Sequence, residues 1–405
     1  MDTTRLSAWQ WRVVILGWVT YAAFYLGRVN LATALPAIEA DLHWLPTDTG
    51  LLAGAMLWSY GIGQLINGWL GQYVDTRRMV FIGIAGSTVV NLIFAVSSSL
   101  PVMFALWLIN GYLQSMAWGP ILRTLSDNLE PGQRNRIAGV FGASYVVGNT
   151  LTWLLTGLLL TSGQWRLTFV VPPLLMFGVG LGWYTLTKPA KSTVHAAREN
   201  ILPGSMREVI RQTWPVLLTA IVAGALINGA LLFAPTYAAQ TLPVDQAALT
   251  AVIFPVSGLL GTVWLSSLVM RRVGGDVVQG LIVLLLISAA ARALAVVLPP
   301  STLVSVLLLA AMGVTSYALT NVLLTAVPLT IYAHLGTSVV AGLMDATHSL
   351  GGAVGSTLVG LLLLWGSWPL VFIVWTLLPL IAAVVISLVL RRAAAQRLSR
   401  QEGIL

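Results

Sequence analysis

The chain has 405 residues, of which 57% are apolar and only 8% charged, and its mean hydropathy is +0.87. Soluble enzymes carry roughly a quarter of their residues as charges, so this composition excludes an enzyme of that kind and describes an all-α membrane protein that crosses the bilayer repeatedly. The formal net charge of +8 does not mark a nucleic-acid surface, because the basic residues fall in short clusters between apolar runs, and the absence of cysteine excludes disulfide frameworks and thiolate metal sites.

Taken in chain order, apolar stretches long enough to span a membrane recur at about 11–38, 47–73, 79–99, 101–124, 136–161, 167–187, 213–240, 247–270, 277–298, 301–327, 337–364 and 367–390. The predicted architecture is therefore twelve transmembrane helices. If both termini are cytoplasmic, the inner segments hold nearly all the basic residues, from Arg5 and Arg12 through Arg77, Arg78, Arg271 and Arg272 to Arg400. The outer loops then hold only Arg166, an asymmetry that orients the termini inward. The first apolar run lacks a small-residue cleavage site and flows into a full span, so no secretory peptide is expected. Polar residues 188–212 divide the spans six and six, which predicts an N-terminal bundle over 1–187, a cytoplasmic linker over 188–212 and a C-terminal bundle with a basic tail over 213–405.

The first span carries the most informative residue. Its apolar run from Val13 to Gly27 would rise only about 22 Å as a helix, short of the roughly 30 Å hydrocarbon core. The helix is thus expected to continue past Arg28 to about Ile38, with Glu39 and Asp41 opening a polar loop. An intramembrane arginine costs about 2.5–3.5 kcal/mol on insertion scales and usually faces a bundle interior or a watery cavity. Tyr21 and Tyr25 precede Arg28 by seven and three residues and share about one helix face with it. A guanidinium flanked by phenols can grip a carboxylate or phosphate with two hydrogen bonds. A structural arginine bonded to a neighbouring helix is the alternative.

Along the second span Tyr60, Gln64 and Asn67 recur at helical spacing and can line a polar cavity or glue helices together, and Asn228 supplies an amide from the seventh span. Trp58 and Trp118 fall deep enough to face a substrate. The other tryptophans, among them Trp9, Trp11, Trp44, Trp165, Trp214 and Trp368, read as interfacial anchors. Arg123, Asp127, Glu130 and Arg134 form an expected ion-pair cluster at the cytoplasmic end. Arg292 lies near the outer end of its span and is expected to snorkel toward water.

Asp345 and His348 stand three apart in the eleventh span. A desolvated carboxylate beside an imidazole can trade protons near neutral pH, which makes them candidates for proton coupling. Asp345 can alternatively be the counter-ion of Arg28 or the receptor for a cationic substrate group, and the pair can also simply bond helices together. No phosphate-cradling glycine loop, metal-ligand set or nucleophile with its base is evident. No cofactor is expected, and energy would come from an ion gradient or from exchange.

The halves resemble each other. A shift of 203 residues pairs Gly139 with Gly342, Gly148 with Gly351, Gly157 with Gly360, Trp165 with Trp368 and Phe169 with Phe372. Parallel six-span repeats of this kind are the layout of major facilitator transporters, with the substrate near midplane, and paired glycines let helix backbones approach closely. The loop GQYVDTRR, Gly71 to Arg78, resembles that superfamily's signature loop, which implies a structural and gating role for Asp75, Arg77 and Arg78. The second-half copy keeps Arg271 and Arg272 but has Met270 at the place of the acid.

Three stretches resemble the organophosphate:phosphate antiporter branch: FYLGRVNLATALP, the run from Ala117 to Thr150, and APTYAAQTL. Arg28 matches the substrate-binding arginine of that branch, whereas Gln64, Tyr145 and Asn228 stand where it has a lysine, a histidine and a second arginine. Two of the three cations that would clamp a phosphate dianion are missing, while one arginine suffices for a carboxylate. The resemblance implies an alternating-access transporter, not an enzyme, moving a small organic anion or zwitterion. Its partners would be the lipid bilayer and a proton or counter-substrate, its site the cytoplasmic membrane of a bacterium, and its state a monomer. Drug or metabolite efflux and a membrane ligand sensor are the competing expectations.

Overall fold

The computed structural model describes residues 6–44, 46–188, 206–241, 253–298, 301–365 and 368–402. Most of the predicted linker, 189–205, lies outside them, as do the side chains of the basic tail and most of those in APTYAAQTL. Every regular element among the described residues is helical: α1 (Ala8–Phe24), α2 (Asn30–Leu42), α3 (Pro46–Leu70), α4 (Thr76–Val96), α5 (Leu100–Gln114), α6 (Trp118–Asn128), α7 (Pro131–Phe141), α8 (Ala143–Leu160), α9 (Val171–Leu186), α10 (Met206–Thr241), α11 (Ile253–Arg272), α12 (Val277–Val297), α13 (Thr302–Leu329), α14 (Thr337–Trp365) and α15 (Trp368–Glu402).

Local chemistry sets several boundaries. Asp75 caps α4 by accepting from the Arg77 amide at 3.0 Å, and Asp276 caps α12 by accepting from Val278 and Gln279. The second-half loop thus keeps an acid at its helix start after all, moved beyond Gly274 and Gly275, whose φ angles of 65° and 84° suit glycine. Glu130 and Gln133 close a capping box on α7.

Eleven stretches of described helix are long and apolar enough to cross a membrane. The twelfth expected span is α3, a helix of 25 residues whose Ser59, Tyr60, Gln64 and Asn67 make it less apolar. The first span crosses as expected but not as one helix. α1 stops at Phe24, a 3-10 turn covers Tyr25–Gly27, and α2 resumes at Asn30. α2 also runs through Glu39 and Asp41 to Leu42 before His43 ends it at φ 54°, so those acids lie on a helix and not in a loop.

Contacts divide the chain into two compact units, Met1–Val209 with Val327–Ala346, and Ile210–Ala326 with Thr347–Leu405. In the first unit Phe94, Trp107 and Phe169 stack at the heart of an apolar cluster with Leu31, Ile38, Leu52 and Met103. Trp165 belongs to that cluster and is 3% exposed, so it is not an interfacial anchor; its indole N–H is spent on Asp41 at 3.0 Å. Also in this unit, α3 and the start of α14 cross at van der Waals contact of their backbones. A Cβ on Gly342 would come within 2.8 Å of the Gly68 Cα, and one on Gly119 within 2.9 Å of the Ser338 carbonyl oxygen.

The internal repeat is visible in the packing. A Cβ on Gly148 would meet the Ala22 Cα at 2.9 Å in the first unit, and one on its repeat mate Gly351 would meet the Ile221 Cα at 2.6 Å in the second. Gly157 is different: nothing lies within 4 Å of where its Cβ would be, so it seats no neighbouring helix. In the second unit α11 and α13 each carry a π turn, Gly261–Leu265 and Val322–Ala326. Asn321 donates to the Thr262 carbonyl and the Ser266 hydroxyl at 3.1 and 3.2 Å, tying the two helices there.

Candidate substrate site

Arg28 sits at the break between α1 and α2. The break frees the Gly27 carbonyl, which accepts from Asn91 Nδ2 at 3.2 Å and from Asn110 Nδ2 at 2.8 Å. Broken helices whose loose backbone groups are met by side chains are how membrane proteins build polar sites without exposing peptide to lipid. The supporting chain continues outward from there. Asn30 donates to Asn91 at 2.9 Å, Ser87 to Asn110 at 2.6 Å, and Gln114 to Ser87 at 2.8 Å. Gln114 Oε1 then accepts from Arg28 Nε at 3.4 Å. The sequence reading passed over these residues, although Ser87 with Asn91 and Asn110 with Gln114 are polar pairs spaced i, i+4 in apolar spans, the pattern of one helix face.

The guanidinium itself lies over aromatic rings, with Cζ 4.2 Å from the Tyr60 centroid and 5.0 Å from that of Tyr25. Desolvated cation–π contacts of this kind contribute about 2 kcal/mol. Tyr21 packs edge-on to Tyr25 at 5.8 Å and against Trp118 at 4.5 Å, and Trp118 in turn lies on Phe141. The helical spacing of Tyr21, Tyr25 and Arg28 therefore does gather them, with Tyr60 and Trp118 added by α3 and α6. Tyr60 also donates its hydroxyl to Asp345 Oδ2 at 2.8 Å.

Several buried polar atoms here lack protein partners. Arg28 Nη2 has none, and neither do Nε2 and Oε1 of Gln64, a residue 1% exposed and one turn beyond Tyr60 on the same face of α3. Buried polar atoms without partners cost about 1–3 kcal/mol each, and a ligand with oxygen acceptors and a hydrogen-bond donor would relieve them. Asn67 donates its amide to the Ser115 hydroxyl at 2.7 Å and leaves Oδ1 without a partner. Tyr145 is half-buried on α8.

In the second unit, Asn228 donates to the Gly224 carbonyl of its own helix at 3.1 Å, and His348 Nε2 lies 3.4 Å from the Thr320 hydroxyl. Asp345 and His348 belong to different units along α14. Trp58, on α3, is 70% exposed. Arg292 does not snorkel: it is 0% exposed, bonded to the Ser288 carbonyl and hydroxyl and to the hydroxyls of Thr315 and Ser316. These acceptors, one turn back and on the next helix, hold it inside.

Toward the predicted cytoplasmic end, Arg77 lies over Tyr184 at 4.6 Å, and Asp75 stands 3.9 and 3.7 Å from Arg77 and Arg78. Arg123 pairs with Asp127 at 3.6 Å and donates to the Gly71 carbonyl at 2.5 Å, while Arg134 bonds carbonyls of Ser126 and Leu129 and not an acid. At the opposite end Asp41 accepts from Trp165 and from Arg166, the latter at 2.8 Å, and these bonds hold its carboxyl below the usual carboxylate range. Among the described residues no three His, Asp or Glu side chains gather as metal ligands would.

Known proteins agree with this architecture. Over 178 residues the chain is 30% identical to the "Probable hexose phosphate transport protein" of Chlamydia pneumoniae, covering 44% of this chain and 39% of that one. It is 28% identical over 177 residues to the "Membrane sensor protein UhpC" of Salmonella typhimurium, covering 44% and 40%, and 27% identical over 184 residues to the glycerol-3-phosphate transporter of Bacillus subtilis, covering 43% and 41%. The matches thus span about two fifths of these relatives. Among solved structures, the transporter FucP in its outward conformation superposes with a TM-score of 0.74 at 14% identity, over 93% of this chain and 98% of that one. The proton:xylose symporter XylE superposes with 0.72 at 14% identity, over 93% and 95%. The sequence profile of the Major Facilitator Superfamily matches residues 17–341, and the chain belongs to that superfamily.

Proposed function

We propose that the protein is a secondary transporter that carries a small organic anion or zwitterion across a bacterial cytoplasmic membrane by alternating access, with both termini on the cytoplasmic side. The observation that carries this reading is Arg28: a guanidinium inside a membrane span, held by Gln114 and the rings of Tyr25 and Tyr60, with Nη2 left without a partner. Arg28 receives the acid group, and the Gln64 amide, also unpartnered, receives polar atoms next to it. Tyr21, Trp118 and Tyr145 supply aromatic wall. The two six-helix halves, 1–187 and 213–405, rock about the bound substrate, with Asp75, Arg77 and Arg78 acting in the gate. The relatives named above support a phosphate-bearing or similar anion. Gln64 and Asn228, in place of cations, favour a singly charged acid group. The carrier works as a monomer, driven by a proton or by exchange.

The test is binding and flux with purified protein. Arg28→Ala and Arg28→Lys should each lose stabilisation by organic anions and transport into liposomes by at least tenfold while remaining folded. Wild-type transport in Arg28→Ala would refute the assignment. The UhpC match supports a sensor as the second reading, and ligand binding without any flux in liposomes would select it.

A further inference from the structure

The cation and the carboxylate of the site do not touch. No ion pair within 4.0 Å joins Arg28 to Asp345; one phenol stands between them, with the guanidinium on its face at 4.2 Å and the carboxylate on its hydroxyl at 2.8 Å. That hydroxyl is the only hydrogen-bond donor to the Asp345 side chain among the described residues, and Asp345 is 8% exposed. We infer that Tyr60 ties anion binding at Arg28 to proton uptake at Asp345, so that anion and proton travel together as a symport. The inference rests on the reading of Arg28 as the anion receptor.

The argument is electrostatic. A carboxylate taken out of water stays charged only with a cation or strong donors nearby. Asp345 has both through Tyr60: the hydroxyl bonds it directly, and the cation over the ring polarises the phenol and makes it a stronger donor. An anion that pairs with Arg28 cancels that field and draws the guanidinium toward itself. Asp345 is then left with a weakened donor and no net positive charge in reach, and it takes a proton. The balance is one anion and one proton bound, with no net charge added for a monoanion. By linkage, a proton on Asp345 favours the anion to the same degree.

The other titratable groups that act on Asp345 fit this scheme. Tyr21 and Tyr25 of the first span pack edge-on to one another beside Arg28, and an ordinary phenol carries no charge near neutral pH. On α6 the charged Arg123 is held at Gly71, about three turns further along α3 from Tyr60. On α14 itself His348 follows by one turn, bonded to Thr320.

The experiment is calorimetry on the purified full chain between pH 6 and 9, in buffers of different ionisation enthalpy. The probes are lactate, glycerate and a sulfate monoester, whose own charge is constant over that range, with glycerol 3-phosphate alongside. The expected result is uptake of close to one proton per anion and an affinity that falls up to tenfold per pH unit on the alkaline side. Asp345→Asn, a mimic of the protonated site, should show the acid-pH affinity at every pH and take up no proton. Tyr60→Phe keeps the ring and removes the donor, so the alkaline fall should begin at higher pH; it also guards against misfolding of the first variant. Anion binding with proton release, with no proton exchange, or with a pH slope unchanged in both variants would overturn the symport inference and leave the proposed function standing. If none of the probes binds, both fall.

Discussion

Two arginines lie within spans, and their surroundings separate their roles. Arg28 keeps a terminal nitrogen, Nη2, without a partner beside aromatic rings, whereas both terminal nitrogens of Arg292 are occupied by a carbonyl and hydroxyls and only its Nε lacks a partner. Arg292→Ala should therefore cost about 2–4 kcal/mol, because it empties a fully buried site and strands its acceptors. A thermal-melt series would show the loss, and anion affinity should stay within twofold. Gln114→Leu removes the acceptor that orients Arg28, and anion affinity should weaken by about tenfold, or ~1.4 kcal/mol. An unchanged affinity in that variant would show that the rings alone hold Arg28. The Asp41 carboxyl is held below its ordinary range by Trp165 and Arg166. Its contribution is present above the unfolded value of about 3.9 and is lost as the pH falls through the lower folded value. Asp41→Asn should flatten the loss of stability below about pH 4 in acid titrations.

At the scale of elements, the structure turns on where helices break and where they touch. The first span breaks at Tyr25–Gly27 without a proline, because Asn91 and Asn110 from neighbouring helices take the Gly27 carbonyl. The crossing of α3 with α14 needs glycine on both sides, since a Cβ on Gly342 would press on backbone at 2.8 Å. Gly342→Ala should destabilise this arrangement by about 1–3 kcal/mol. Gly157→Ala, with open space around it, should be neutral or stabilising by up to about 1 kcal/mol. Equal melting shifts in the two variants would contradict the crossing geometry. The same reasoning explains why a sequence shift that pairs Gly157 with Gly360 marks an internal repeat without marking a contact at every pair.

For the whole molecule, topology is the testable property. The chain has no cysteine, so single cysteines can be introduced without a background. With cytoplasmic termini, Gln164→Cys should react with a membrane-impermeant maleimide added outside cells, and Gln279→Cys only after the membrane is opened. The reverse pattern would invert the assignment drawn from the basic residues. The extent of α3 shows what hydropathy can and cannot do at this scale. The span is legible as an apolar run, but its Tyr60, Gln64 and Asn67 lower its hydropathy: Tyr60 meets Asp345, Asn67 meets Ser115 at the end of α5, and the Gln64 amide has no protein partner.

The sequence by itself determined the membrane class, the expected spans and the gathering of Tyr21, Tyr25 and Arg28, because hydropathy and helical periodicity act along the chain over a few turns. The polar i, i+4 pairs behind Arg28 are also written there. Only the tertiary structure decided that Tyr60 meets Asp345, that Arg292 and Trp165 are buried, and where the first span breaks. Each of these depends on which donor, acceptor or ring arrives from a distant part of the chain. A buried charge or a loose carbonyl takes the conformation that satisfies it, and its partner is chosen in space and not in sequence.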